Sequence, residues 1–128
     1  MSHLVFVYGT LRKGFHNNRL LANSHFEGIG SAYGVKLYNA GLYPAALIDP
    51  KSALVGEIYE VDDNTLARLD MLEGVPHLYR RETVDCDLDD DSDAELQAYI
   101  YIWSQPVDRL SPVPGGDYLK QYNLIKGH

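Results

Sequence analysis

A loop that follows the first apolar run has the composition of an anion-binding site. The run LVFV, residues 4–7, predicts a short strand that is buried on both faces. The residues directly after it are Tyr8, Gly9, Thr10 and Leu11. A glycine here lets the backbone turn or come close to a ligand, and such a loop can aim several N–H groups at one point. We expect this loop to bind a carboxylate, and we expect another part of the chain to bring an acid–base group to it.

Glu73 is the side chain best suited to supply that acid–base group. The residues that recur at helical spacings of three and four are Leu66, Leu69, Leu72 and Glu73. Burial among leucines and the negative end of a helix both disfavour a charged carboxylate, so both would raise the pKa of Glu73 toward the range useful for moving protons near pH 7. The alternative is a side chain at a helix end that reaches solvent. Asp70, one turn earlier, is the competing carboxylate.

Three other patterns lack residues that their chemistry requires. Gly9 to Gly14 fits GxxxxG, but Phe15 and His16 stand where a phosphate-binding loop needs Lys and Ser or Thr. The glycines of residues 28–34 have the wrong spacing for a dinucleotide fingerprint, and no buried strand precedes them. The sequence contains no GxSxG, so a serine-hydrolase elbow is not supported. These comparisons argue against a nucleotide cofactor and against a catalytic serine.

Metal-binding patterns are also missing from the sequence. The acidic run from Asp87 to Glu95 has no register that places Glu at position 12 of a calcium loop, so we expect a solvated hairpin tip. The five histidines are not spaced as in helical or finger-like metal sites. Cys86, the single cysteine, falls on the inward face of a predicted strand, where a thiol behaves as a small hydrophobe. We therefore expect no bound metal.

Composition favours one ordinary globular domain over residues 1–128. The apolar share is 45%, the charged share is 23%, and the formal net charge is −7. A negative net charge argues against nucleic acid or an anionic membrane as the main partner. One cysteine allows no internal disulfide, the N-terminus lacks the basic region and apolar run of a signal peptide, and no apolar stretch approaches a membrane span. We expect a cytoplasmic protein.

The elements that must position the loop and the glutamate are mostly strands. Predicted strands cover residues 4–7, 30–38, 45–48, 54–61, 78–88 and 95–103, and the last two form a hairpin. Asp62 or Asp63 caps a predicted helix that runs to about Leu72, and Gly74 fits the position just past its end. Residues 17–23 are expected to form either a short helix or irregular structure. Residues 106–116 are expected to form a loop, and 117–124 a closing segment of one or two helical turns.

With these pieces in order, the sequence resembles the γ-glutamylcyclotransferase-like family, which includes γ-glutamylamine cyclotransferases and the butirosin-pathway cyclotransferase. The matching stretches are VFVYGTLRKG with Asn17, YPA at residues 43–45, GEIYEVD at 56–62 and LDMLEGVPHLYRR at 69–81. The resemblance implies an α+β fold, a small mixed β-barrel or strongly bent sheet with a few short helices packed around it. That fold agrees with the strands predicted above.

The resemblance also implies an intramolecular reaction. A γ-glutamyl amide closes on itself, giving 5-oxoproline and a free amine, without a cofactor or a metal. Glu73 matches the acid–base glutamate of the family, and the loop at residues 8–11 matches its cup for the glutamyl α-carboxylate. The expected partner is thus a small γ-glutamyl molecule. The alternative is a binding module of the same fold that holds a small carboxylate without turnover.

Further residues follow from the same resemblance. Tyr118, after Gly-Gly-Asp, is expected to form a wall of the pocket, and Asn17 is expected to fix the loop by hydrogen bonds. Tyr43, Tyr79 and Arg81 either line the pocket or serve the core. The sequence identifies neither the leaving amine nor the oligomeric state.

Overall fold

Six strands form one mixed sheet that curls into a nearly closed ring. The computed structural model describes residues 1–41, 43–90 and 95–126. The strands are β1 (Ser2–Val7), β2 (His25–Ala40), β3 (Tyr43–Asp62), β4 (Tyr79–Leu88), β5 (Glu95–Trp103) and β6 (Ser111–Pro112). The helices are α1 (Asp63–Leu72) and α2 (Tyr118–Lys126), with 3-10 helices at His16–Leu21 and Pro114–Gly116.

Strand order closes the ring. The order is β1-β3-β5-β4-β2-β6, and β3 also pairs with β2, so that β3, β5, β4 and β2 return to their starting point. Most neighbours are antiparallel, whereas β5 runs parallel to β1 and β3. The expectation of an α+β fold built on a small mixed β-barrel or strongly bent sheet is confirmed. None of the helices in the described part of the chain has the length and apolar character needed to cross a lipid bilayer.

Two apolar clusters cover the two faces of the sheet. The inner cluster takes residues from all five long strands, among them Phe6, Leu37 and Ile100. The outer cluster joins Val5 and Val7 to leucines of α1 and of the first 3-10 helix. Strand β1 therefore contributes to both clusters and is buried on both faces, as its uncharged sequence predicted. The inward position predicted for Cys86 is also confirmed, because the thiol is buried in the inner cluster.

The predicted boundaries were wrong for the two longest strands. Residues 30–38 lie within β2, and residues 45–48 and 54–61 belong to one strand, β3. The two strands pair from His25 opposite Glu60 to Ala40 opposite Tyr43, with register shifts near Gly28 and Gly34. These irregularities allow a glycine-rich segment to remain in one continuous pair of strands. The glycines and prolines of the sequence had predicted breaks there. The β4–β5 hairpin is confirmed, and residues 91–94 of its acidic tip lie outside the described residues.

A buried ion pair ties the loop after β1 to the rest of the fold. Arg12 is 2% exposed and Glu57, on β3, is 3% exposed. Arg12 Nε donates to Glu57 Oε2 at 3.1 Å, and a second guanidinium nitrogen donates to Asp117 Oδ1 at 2.9 Å. Glu57 Oε1 also accepts from the Lys13 N–H and the Tyr59 hydroxyl, both at 2.9 Å. The charges are thus fully partnered by three separate segments of chain.

We expect Arg12→Met to lower the free energy of unfolding by roughly 3–5 kcal/mol, because it leaves the Glu57 carboxylate buried without its cation. Urea denaturation followed by circular dichroism measures this change. Arg80→Met is the matched control, since Arg80 pairs with Glu82 at the exposed surface and its loss should stay within roughly 0.5 kcal/mol. Equal losses in the two variants would contradict this account of the ion pair.

Candidate active site

A cavity of about 230 Å³ lies where the loop after β1, the start of β3 and the end of α1 meet. Its lining includes the predicted loop residues Tyr8, Gly9, Thr10 and Leu11, and it includes Glu73. These residues come from segments about sixty positions apart in the sequence. Glu73 is the only charged residue among the described residues that line the cavity. The fold therefore brings one carboxyl group to the predicted anion-binding loop.

Hydrogen bonds fix the shape of the loop. The Arg12 N–H donates to the Gly9 carbonyl at 3.0 Å and closes a turn. Asn17 Nδ2 donates to Thr10 Oγ1 at 3.0 Å, and Asn18 Nδ2 donates to the Leu11 carbonyl at 2.7 Å. Asn17 thus makes the kind of contact that was expected from the sequence. Within the described residues no protein group accepts from the Thr10 or Leu11 N–H, which leaves both donors for an anion.

Gly9 is required by a neighbouring side chain. A Cβ atom at Gly9 would lie 2.3 Å from Cγ of Pro44, so the proline ring occupies the space that any larger residue would need. Pro44 is itself held in place, because its carbonyl accepts a hydrogen bond from the Tyr79 hydroxyl. In the sequence, the only signal for Pro44 was its position in the YPA triplet at residues 43–45, which by itself did not indicate this contact. The close approach at Gly9 is therefore to Pro44 and sets the loop against β3.

Tyr8 contributes to the cavity without a free hydroxyl. Its O–H donates to the Tyr101 carbonyl at 2.6 Å and accepts from the Ala46 N–H at 3.2 Å. Burial raises the pKa of Tyr8 well above its usual value, and the nearby Tyr79 and Glu73 add to the shift. The phenol is therefore neutral and fully used in joining β1 to β3 and β5. What Tyr8 offers a ligand is its ring and its backbone.

The backbone at Glu73 is set by the end of α1. Gly74 follows in the left-handed region with φ of 63°, a conformation that glycine adopts without a Cβ penalty. The Gly74 N–H donates to the Met71 carbonyl at 3.2 Å, and the Val75 N–H donates to the Asp70 carbonyl at 3.0 Å. These two bonds form a Schellman motif, which ends α1 at Leu72 and makes Glu73 its C-cap residue. Gly74 thus occupies the position predicted for it.

Burial makes Glu73 a weak acid. Desolvation raises the pKa of its carboxyl from 4.5 to about 7. No described residue donates a hydrogen bond to this carboxyl, so nothing offsets the loss of water around the charged form. The groups that face it are Tyr8, Tyr79 and Tyr101, whose own pKa values are raised mainly by burial and further by the charge of Glu73. The alternative of a side chain in bulk solvent does not describe this residue.

The remaining predicted residues divide into two groups. Tyr43 and Tyr79 line the cavity, whereas Tyr118 and Arg81 are not among its described lining residues. The Tyr118 ring lies 5.8 Å from the Phe15 ring and packs against the inner cluster, so it supports the far side of the loop. No group of three or more metal-ligating side chains occurs among residues 1–41, 43–90 and 95–126.

Known proteins resemble this chain in sequence. The family model described as gamma-glutamyl cyclotransferase, AIG2-like, matches residues 5–120, a range that contains the loop, Glu73 and Tyr118. The chain belongs to this family. A relative from Methanocaldococcus jannaschii, whose name is "Putative gamma-glutamylcyclotransferase MJ1514", is 43% identical over 116 residues, which are 89% of this chain and 93% of that protein.

Solved structures carry the same fold as this family member. YkqA from Bacillus subtilis superposes with a TM-score of 0.81 at 28% identity, covering 100% of this chain and 44% of that one. The uncharacterised protein PH0828 from Pyrococcus horikoshii gives a TM-score of 0.80 at 28% identity, with 98% of each chain covered. The ring of strands is therefore the fold of the family.

The raised pKa of Glu73 should make stability depend on pH. In the unfolded chain the carboxyl loses its proton above about pH 4.5, whereas the folded protein retains it up to about pH 7. Stability should therefore fall as the pH rises from 4.5 through 7, by up to roughly 3 kcal/mol from this group. Glu73→Gln should remove that loss and be more stable than the wild type at pH 8. Unfolding titrations across this range measure the difference.

Glu60→Gln is the matched control for this experiment, because the Glu60 side chain is exposed on β3. It should follow the wild-type pH dependence. If Glu73→Gln does so as well, the carboxyl is not desolvated in the folded protein.

The contact between Gly9 and Pro44 predicts a coupled pair of substitutions. Gly9→Ala should cost roughly 1–3 kcal/mol, because its methyl group overlaps the proline ring. Pro44→Ala removes the Cγ atom that the new methyl group would overlap. The double variant should therefore lose less free energy of unfolding than the two single variants together, by more than roughly 0.5 kcal/mol. Urea denaturation of the four proteins measures this coupling. Simple additivity would mean that Gly9 is required for another reason.

Proposed function

We propose that this protein converts a small γ-glutamyl amine or peptide to 5-oxoproline and a free amine by intramolecular attack. One observation carries the proposal: a carboxyl with a pKa of about 7 lines the same cavity as a loop with unpaired N–H groups. Membership of the gamma-glutamyl cyclotransferase family supports this class of reaction. In this proposal Glu73 is the general acid–base.

Binding begins at the loop after β1. The α-carboxylate of the glutamyl group accepts hydrogen bonds from the N–H groups of Thr10 and Leu11, which are held in place by Asn17 and Asn18. The α-ammonium group then lies toward Glu73, the only charge among the described lining residues. The amine part of the substrate extends along Tyr43 and Leu72, which are partly exposed on the cavity wall.

The reaction needs one group that accepts and returns a proton. Glu73 takes a proton from the α-ammonium, and the free amine attacks the side-chain amide carbon to form a five-membered ring. The bond from that carbon to the leaving nitrogen then breaks, and the protonated Glu73 donates to the departing nitrogen. The second proton lost by the ring nitrogen ends on the released amine. A pKa near the working pH suits both halves of this cycle.

Intramolecular geometry explains why a single such group suffices. Holding the amine against a carbonyl of the same molecule is worth up to roughly 7–11 kcal/mol of the barrier. Proton transfer by a positioned carboxyl adds typically ~10²–10⁴-fold in rate. A cavity with one titratable carboxyl and no nucleophilic triad is consistent with these requirements.

We expect the wild type to release 5-oxoproline from at least one member of a panel of γ-glutamyl amines, amino acids and peptides. Glu73→Gln should keep the fold and lower kcat by roughly 10²–10⁴-fold, because glutamine cannot accept the proton. In the wild type, kcat/KM should fall below about pH 7, where the carboxyl is protonated. The exposed-site variant Glu60→Gln should retain wild-type turnover.

Two results would reject parts of this proposal. Near-normal turnover by Glu73→Gln would remove Glu73 from its role. Binding of glutamate or 5-oxoproline at the loop, without turnover of any γ-glutamyl amide, would instead favour a binding module of the same fold.

A further inference from the structure

Asp70 lies one turn before Glu73 on α1 and is already fully engaged by protein donors. Its Oδ1 accepts from the Tyr101 hydroxyl at 2.7 Å, and its Oδ2 accepts from a guanidinium nitrogen of Arg81. Arg81 lies on β4 and Tyr101 lies on β5. The last turn of α1 is therefore bonded to both strands of the hairpin. With both oxygens engaged and no place in the cavity lining, Asp70 is poorly suited to accept a proton from a substrate.

The main chain of Asp70 holds the same turn. Its carbonyl accepts a hydrogen bond from the Val75 N–H at 3.0 Å. This is the bond of the Schellman motif that joins the two residues farther apart in the sequence. Side chain and backbone of one residue thus fix the segment on which Glu73 stands. A shift of Asp70 would move Glu73 with it.

The apolar contacts of α1 stop short of this turn. Leu66 and Leu69 are buried, whereas Met71 is 82% exposed and Leu72 is 41% exposed. Beyond Leu69, hydrophobic burial therefore contributes little to holding the helix end against the sheet. The hydrogen bonds of Asp70 with Arg81 and Tyr101 therefore attach the end of the helix to the sheet where leucine packing does not.

The two partners of Asp70 are themselves held in place. The Arg81 guanidinium lies 4.6 Å from the centre of the Tyr99 ring, a cation–π contact on the same hairpin. The Tyr101 carbonyl accepts from Tyr8, and the Tyr101 ring lines the cavity. The Arg81–Asp70 pair is under a third exposed on both sides, so it is less screened by water than a surface pair. The anchor therefore joins rigid elements.

We propose that Asp70, Arg81 and Tyr101 are positioning residues that keep the Glu73 carboxyl inside the cavity by bonding the last turn of α1 to the β4–β5 hairpin. This inference rests on the proposed role of Glu73. In this inference the three residues affect the reaction through the position of Glu73.

Arg81→Met and Tyr101→Phe test the inference, with Arg80→Met as the matched control on the neighbouring, exposed position of β4. The first measurement is the carboxyl titration of Glu73 by ¹³C NMR, assigned with Glu73→Gln. The charged or titratable groups around Glu73 are Tyr8, Tyr79 and Tyr101. On its own helix, Asp70 carries a further negative charge.

The Arg81→Met variant separates positioning from simple electrostatics because the two predict opposite signs. If Arg81 only neutralised Asp70, its loss would raise the pKa of Glu73 above about 7. If it holds the turn, the carboxyl swings toward water and its pKa falls toward 4.5. We expect the fall, by at least roughly one unit. Tyr101→Phe changes no formal charge and should give a smaller fall of the same sign.

The second measurement is steady-state kinetics. A displacement of about 1 Å can cost on the order of 10²-fold in rate, so we expect kcat to fall by about that factor in Arg81→Met. KM should change little, because the loop that binds the α-carboxylate is untouched. Arg80→Met should match the wild type in both measurements.

The outcomes distinguish this inference from the proposed function. Wild-type protein that turns over no γ-glutamyl amide would reject the function, while the NMR titration would still decide the positioning. A wild-type Glu73 pKa in folded Tyr101→Phe together with an unchanged or raised pKa in Arg81→Met would overturn the inference. If Arg81→Met does not fold, Tyr101→Phe alone decides, and an unchanged titration there overturns it.

Discussion

The buried ion pair between Arg12 and Glu57 is the interaction on which the geometry of the cavity depends. Charges so fully removed from water are tolerated only when every hydrogen-bonding atom has a partner. Here the partners come from the loop after β1, from β3 and from the residue before α2. The loop cannot move away without leaving at least one charge buried and unpaired. Its conformation is therefore set by the protein before any ligand arrives.

The surroundings of the Glu73 carboxyl differ from those of the Glu57 carboxyl. Glu57 accepts two hydrogen bonds, from the Lys13 N–H and the Tyr59 hydroxyl, besides the bond of its ion pair, whereas no described residue donates to Glu73. The first arrangement stabilises a permanent charge, and the second leaves a group whose charge is lost and regained near neutral pH. Both carboxyls lie within one small fold. The number of hydrogen-bond donors around each carboxyl separates the structural Glu57 from Glu73, the acid–base group of the proposed reaction.

Specific contacts between neighbouring elements fix the walls of the cavity relative to one another. Tyr79 holds Pro44, and Pro44 packs against Gly9. Tyr8 joins β1 to β3 and β5 through its hydroxyl, and Asp70 joins α1 to the hairpin. Each contact places one wall of the cavity relative to another. Pre-organised walls would favour the proposed reaction within one substrate molecule, because the rate of such a reaction depends on how closely the two ends of the molecule are held.

Local sequence signals were enough to predict several elements of the fold. The uncharged run of β1, the alternating hairpin and the capped helix ending at Gly74 all follow from periodicity and turn chemistry, and the family motifs located the loop and Glu73. Local signals failed to predict the full length of β2 and β3. These strands continue through glycines and Pro50 because they pair with each other along their length, and this pairing is a long-range contact. The three-dimensional structure was needed to assign roles to Arg12, Glu57, Pro44 and Asp70, since each role depends on a partner that sequence spacing does not reveal. The burial, the hydrogen-bond partners and the pKa of a side chain depend on the residues that the fold packs around it. A carboxyl group in the sequence could therefore have become a buried ion-pair partner, a helix anchor or an acid–base group.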